Sequence, residues 1–178
     1  MSRNKKISSR YGENDYFQEF EFSFDQLLQK LTCCFNKTKE LSFVGTATYK
    51  KEENTVFNLS LGVKIAKYRA LINYHDYEIY NLKKLFVNSV ITYSSVENIQ
   101  SLITYEESEN YILDNKDKDI VDKTLKVIKK RLGRLDKQNN TAGKLLINSL
   151  YNILIEIKKQ QHIRADYNKK INKIIASL

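Results

Sequence analysis

Proline is absent from this chain of 178 residues, and glycine occurs only five times. Because these two residues interrupt helices and strands, their scarcity predicts long secondary-structure elements and no proline-rich linker between domains. Gly45, Gly62, Gly133 and Gly143 each stand alone in the sequence. No glycine-rich loop is therefore present to bind phosphate groups.

Cysteine is also scarce, since the chain has only Cys33 and Cys34. Adjacent cysteines rarely form a disulfide without strain, and there is no third thiol, so a reducing, cytoplasmic setting is expected. The remaining soft metal ligands are His75 and His162. Because no Cys-x-x-Cys or His-x-x-x-His pair occurs, the sequence predicts neither a metal site nor a cofactor.

No group of residues resembles a catalytic site. His75, between a tyrosine and an aspartate, is a conceivable base, but no serine or cysteine stands in a nucleophile elbow. Carboxylates are plentiful, yet no spacing pairs two of them for acid–base or metal chemistry. The sequence therefore favours a protein that is not an enzyme.

Long apolar runs are missing as well. None approaches the roughly 18 consecutive apolar residues of a membrane span. The basic residues 1–10 are not followed by an apolar stretch typical of a signal peptide. We therefore expect a soluble chain that makes no membrane contact, and a flexible basic arm over residues 1–15.

Residues 16–114 are predicted to form an α+β domain. Phenylalanines alternate with polar residues over residues 16–24, which is typical of a half-buried strand. Ser23 and Gln26 resemble a capping box and predict a short helix ending near residue 36, with one helix from residue 16 as the alternative. The apolar face of the short helix would consist of Leu27, Leu28, Leu31 and Phe35.

The rest of this domain has the pattern of a sheet. Apolar residues alternate over residues 41–49 and 57–65, and a strand over residues 68–74 would complete an antiparallel β-meander. The apolar face of such a sheet needs covering helices. Residues 77–93 fit either a helix or another strand, and a capping box predicts a helix over residues 94–113.

Residues 115–178 are predicted to form a basic helical hairpin that packs on the α+β domain. The second helix, from about residue 141, carries an apolar seam at steps of four and three residues and would be about 54 Å long. The first helix is about half that length and covers only half of it. The remainder must pack on the sheet or on another chain. The predicted oligomer or partner interface is Tyr167, Ile171, Ile174 and Leu178.

The net charge of +9 is concentrated in this hairpin. Residues 1–114 contain 14 Lys/Arg and 15 Asp/Glu, a balance of −1, whereas residues 115–178 contain 16 and 6, a balance of +10. Such asymmetry indicates an anionic partner for the C-terminal third.

One amphipathic helix presents much of this charge on a single face. Its apolar stripe begins at Val121, Leu125 and Ile128 and continues at steps of four and three. At about 100° per residue, five cations fall within roughly an 80° arc on the opposite side, and no acidic residue shares that arc. These cations, here called the basic face, are Lys123, Lys126, Lys130, Arg134 and Lys137.

The sequence predicts a non-enzymatic nucleic-acid-binding protein whose basic face contacts the phosphates of DNA or RNA. Lys169, Lys170 and Lys173 are predicted to add contacts. A membrane surface fits less well because the apolar stripe lacks tryptophan and phenylalanine. The alternative is a protein–protein assembly or inhibitor module, for instance a viral, phage or plasmid accessory protein, that acts through its long C-terminal helix as a homo-oligomer or with a protein partner.

The acidic segment over residues 97–114 helps to separate the two hypotheses. If its side chains cover the basic face within the same chain, the nucleic-acid hypothesis weakens, because fewer cations remain for phosphates. The carboxylates concerned are Glu97, Glu106, Glu107, Glu109 and Asp114.

Overall fold

The computed structural model describes residues 7–9, 19–48, 58–94, 120–137 and 141–177. Over these ranges the chain has an α+β fold, an antiparallel sheet followed by helices, and the predicted fold class is confirmed. The elements are β1 (Ile7–Ser9), β2 (Glu19–Asp25), β3 (Lys30–Asn36), β4 (Ser42–Thr48), α1 (Leu59–Ser94), α2 (Ile120–Lys137) and α3 (Thr141–Ile175).

The chain divides into two compact units. Unit 1 comprises Met1–Asp76 and Ile163–Leu178 and contains the sheet, whereas unit 2 comprises Tyr77–His162 and is helical over its described residues. Both α1 and α3 contribute residues to each unit. The domain boundaries predicted after residues 15 and 114 stay a prediction.

The sheet is a meander in the order β1-β2-β3-β4, with every neighbouring pair antiparallel. The strands predicted over residues 16–24 and 41–49 are confirmed as β2 and β4. Phe20 and Phe22 of β2 are each only 7% exposed, so the alternation in the sequence marks the buried side of the sheet.

The helix predicted to end near residue 36 is wrong, because this segment forms the β2–β3 turn and β3. The side chain of Asp25 accepts hydrogen bonds from the backbone N–H groups of Leu27 (2.9 Å) and Leu28 (3.1 Å), and these bonds close the turn. Alternate residues of β3 then point into the core and are almost fully buried. They are Leu31, Cys33 and Phe35.

The strands predicted over residues 57–65 and 68–74 are also wrong, since residues 59–65 and 68–74 belong to α1. Asn58 is the N-cap: its side chain accepts a hydrogen bond from the N–H of Leu61 at 3.2 Å. The buried positions Gly62, Ala66 and Ala70 recur at helical spacing. Because the apolar residues of α1 do not form one narrow stripe, their order along the chain also imitates a strand.

The same helix resolves the ambiguity over residues 77–93, which are helical to Ser94. Ile79, Leu82, Phe86 and Val90 form its apolar face, as the helical interpretation predicted. The helix predicted over residues 94–113 lies almost entirely outside the described residues.

The core of unit 1 is aromatic. The ring of Phe35 stacks on Phe20 at a centroid distance of 4.9 Å and meets the edge of Tyr74 at 5.4 Å. Ala66 of α1 and Ile171 of α3 belong to the same cluster. Both helices therefore cover the apolar side of the sheet, as a single-sheet fold requires.

A close backbone approach fixes α1 on the sheet. A Cβ atom at Gly45 would lie 2.1 Å from the carbonyl oxygen of Ala66 and 2.2 Å from the amide nitrogen of Ala70. Nearby, the guanidinium of Arg69 donates to the carbonyl of Thr46 at 2.5 Å. Glycine is required here because β4 and α1 leave no room for a side chain.

The core of unit 2 is almost entirely aliphatic. Phe86 is its one buried aromatic residue among those described, and the others are isoleucine, leucine and valine from α1, α2 and α3. Leu125 and Ile128 of α2 pack in one cluster with Leu150 and Leu154 of α3. This packing forms the predicted helical hairpin.

Candidate nucleic-acid interface

Helix α2 places the predicted basic face towards solvent. Val121, Leu125 and Ile128 are each at most 9% exposed and anchor the helix in the core of unit 2. The cations on the opposite side are all exposed, which follows from helical geometry once the apolar stripe is buried. They are Lys123, Lys126, Lys130, Arg134 and Lys137.

Four of these cations make no ion pair among the described residues: Lys126, Lys130, Arg134 and Lys137. Asp122, at the edge of the face, is instead engaged by Lys158 of α3, whose ammonium donates to its carboxylate at 2.6 Å. Lys123 has a contact of its own and is not counted with the four.

Arg131 lies beside the basic face, and the pKa of its side chain is lowered. Partial burial, and next the charge of Arg134, lower the pKa of the Arg131 guanidinium. A guanidinium remains charged at neutral pH even so, because its pKa begins far above that range. Arg131 therefore keeps its positive charge.

Helix α3 carries the other predicted phosphate contacts, which lie in unit 1. Lys169 pairs with Asp166 at 3.5 Å, and Lys170 sits over the rings of Tyr68 and Tyr167 at 5.7 and 5.2 Å from their centroids. Lys173 is exposed. Two of these three lysines are thus already engaged within their own unit.

Most residues of the predicted partner interface lie in the core of unit 1 or pack against it. Ile171 is 7% exposed, and Tyr167 and Ile174 pack against the same cluster. Tyr167 stacks between Tyr68 (5.5 Å) and His75 (5.7 Å). The sequence left open whether these residues pack on the sheet or on another chain. Tyr167, Ile171 and Ile174 pack with the core of unit 1, which includes the sheet. Leu178 lies outside the described residues.

Two lysines near the basic face were missed in the sequence analysis. Lys129 of α2 and Lys158 of α3 line an open groove together with Lys126. Lys129 lies outside the arc opposite the apolar stripe, and Lys158 reaches the groove from another helix. The spacing of Tyr151, Ile155 and Lys158 by four and three residues could have indicated a shared stripe on α3.

Other kinds of site find no support in the part of the chain that the structure describes. Within it, no three histidine, cysteine, aspartate or glutamate side chains come together as metal ligands. Nor does any helix there combine the length and apolar character that crossing a membrane demands. The acidic segment over residues 97–114 lies outside the described residues.

By its fold the chain is an α+β protein, and the feature that stands out on unit 2 is the exposed basic face of α2. Comparison of the chain with models of protein families, with curated proteins and with solved structures gives no match.

Proposed function

We propose that this chain is a non-enzymatic nucleic-acid-binding protein that contacts phosphates through the basic face of α2. The observation that carries the proposal is the set of four exposed cations without an ion pair among the described residues. They share one side of a rigid helix whose other side is buried. DNA and RNA are both suitable ligands, because this surface offers charge rather than a pattern for reading bases.

Counterion release supplies the affinity in this proposal. Each phosphate that a lysine or arginine neutralises releases condensed counterion, so the logarithm of the binding constant falls by about 0.7 to 0.9 per contact and per decade of salt. Four contacts predict a slope of about −3 to −4. The free thiols of Cys33 and Cys34 agree with a reducing, cytoplasmic setting, which is part of the proposal.

The decisive experiment is charge reversal on the basic face. Lys126→Glu plus Lys130→Glu should abolish binding to generic single- and double-stranded nucleic acid, because it replaces two attractive charges by two repulsive ones. The melting temperature should change little, since both side chains are exposed. Fluorescence anisotropy at two salt concentrations measures the affinity and its salt slope.

A matched control is Lys39→Glu plus Lys64→Glu. These lysines are exposed in unit 1 and lie outside every predicted contact, and the double substitution changes the net charge by the same amount. This variant should retain most of the binding. Equal affinity of the wild type and the Lys126/Lys130 variant, or wild-type binding that is indifferent to salt, would contradict the proposal.

A second candidate is a protein–protein assembly module that acts through α3. Leu145 and Ile175, towards the two ends of this helix, are 68% and 50% exposed, so α3 offers apolar side chains that a partner could cover. The mass in solution tests self-association: light scattering at micromolar concentration should give more than one chain. The mass of one chain would exclude the homo-oligomer.

A further inference from the structure

An open groove of about 350 Å³ lies between α2 and α3 within unit 2. Its rim carries the ammonium groups of Lys126, Lys129 and Lys158, and its apolar lining comes from Leu125 and Ile155. Tyr151 supplies an aromatic wall, and Asp122 completes the lining. The groove therefore combines three cations, one of them paired, with an aromatic and apolar interior.

The cations and the aromatic, apolar interior of the groove match the two parts of a nucleotide. A nucleotide has an anionic phosphate and a flat base with an apolar π-face, and proteins that bind single strands combine cations with aromatic platforms for that reason. The volume is at the lower end of the roughly 300 to 1,000 Å³ found for small-ligand sites. One base fits such a space, whereas a duplex does not.

We propose that this groove accepts a base of a single-stranded nucleic acid, stacked against Tyr151, while Lys126 and Lys129 contact the adjoining phosphates. The inference rests on the proposed function and extends it to a preference for single strands. Lys126 belongs to both the basic face and the groove rim, so a strand that follows the basic face reaches the groove without a break.

Accessibility supports this occupant. Ile155 is 43% exposed, so an apolar ring in the groove would cover side-chain surface that is now in water. The side chains of Lys158 and Asp122 are 40% and 46% exposed, and because they form an ion pair they add little net charge to the groove. Lys126 and Lys129, which make no ion pair among the described residues, leave a net positive rim for a phosphate. An acidic peptide would satisfy these cations but would leave the aromatic wall without a partner.

The test compares three probes of equal length at one salt concentration: oligothymidylate of about 12 nucleotides, an abasic strand and a duplex. Tyr151→Leu retains apolar volume but removes the ring, and it should weaken oligothymidylate binding by about tenfold. Affinities for the abasic strand and the duplex should not change. Tyr151→Phe, which keeps the ring, should behave like the wild type.

A second variant tests the same contact and controls for unfolding. Ile155 is partly exposed, so Ile155→Asp should leave the melting temperature nearly unchanged while it places a carboxylate in the groove. It too should weaken oligothymidylate more than the abasic strand. Equal losses for both probes, no loss for either, or competition by oligoglutamate as effective as that by oligothymidylate would overturn the inference.

Charge reversal elsewhere on the basic face separates this inference from the proposed function. Lys130→Glu plus Arg134→Glu, both outside the groove lining, should weaken all three probes by a similar factor. If that holds but Tyr151→Leu has no base-dependent effect, only the groove assignment fails. If the wild type binds none of the probes, the proposed function and the groove assignment fail together.

Discussion

Unit 1 and unit 2 hold their elements together in different ways. In unit 1 a helix backbone rests directly on β4 at Gly45, and aromatic rings fill the space between sheet and helices. In unit 2 the helices are separated by aliphatic side chains, and the outer side of α2 is entirely exposed. The first arrangement leaves no room at its closest backbone contact, whereas the second leaves the cations of the basic face exposed.

One glycine in each unit tests this difference with the largest expected effect. Gly45→Ala should lower the free energy of unfolding by about 1–3 kcal/mol or more, because the new methyl group meets two backbone atoms that cannot move independently. Gly133→Ala in α2 should have the opposite sign. A Cβ atom there meets nothing within 4 Å, and alanine favours a helix by about 1 kcal/mol over glycine.

Urea unfolding of both variants and the wild type measures these changes. The pair is well matched, since each substitution adds one methyl group and removes the same flexibility from the unfolded chain. Destabilisation by Gly133→Ala would mean that α2 has no room for a side chain at this position, and tolerance of Gly45→Ala would mean that β4 and α1 can move apart; either result contradicts the prediction.

A smaller effect concerns the buried thiol of unit 1. Burial, reinforced by the neighbouring Cys34, raises the pKa of Cys33 from 9.0 to about 12. The folded state therefore holds this proton more tightly than the unfolded state does. The stabilisation is complete below pH 9.0 and is lost progressively as the pH rises from there towards about 12.

At about one pH unit above 9.0, the loss from Cys33 amounts to about 1 kcal/mol. Cys33→Ala removes this titration, so the stability of the variant should fall less steeply with pH than that of the wild type. At neutral pH the variant should be less stable than the wild type, because a buried side chain is shortened. Parallel pH profiles of the two proteins would mean that the thiol ionises equally in both states.

The sequence predicted α2 and α3 correctly but only part of unit 1, namely β2 and β4, for a physical reason. Helix α2 is amphipathic, so Leu125 and Ile128 repeat with one unambiguous period, and the burial of that stripe leaves the basic face exposed. In α1 the part that belongs to unit 1 buries the small residues Gly62, Ala66 and Ala70 beside Ile65 and Leu71, and the small residues carry little hydrophobic signal. The apolar residues between them alternate and imitate a strand.

The error at β3 has a different cause. Leu27 and Leu28 suggested a helical face, yet they are 91% and 65% exposed in a turn that Asp25 closes. The alternation of Leu31 with Phe35 was visible only if Cys33 counted as apolar. The groove between α2 and α3 could not be predicted from the sequence, because it joins residues from two helices whose register the sequence does not specify.

The smallest effect tests the rim of that groove, where stability and binding should move in opposite directions. Asp122 and Lys158 form a 2.6 Å ion pair, but both side chains are nearly half exposed, so Asp122→Asn should cost no more than about 1 kcal/mol of stability. The same change removes a carboxylate and frees an ammonium group for phosphate, and nucleic-acid affinity should therefore rise at low salt. High salt should abolish the gain, because screening weakens an exposed charge. A loss of affinity would mean that the ion pair positions Lys158 for binding and does not compete with the ligand.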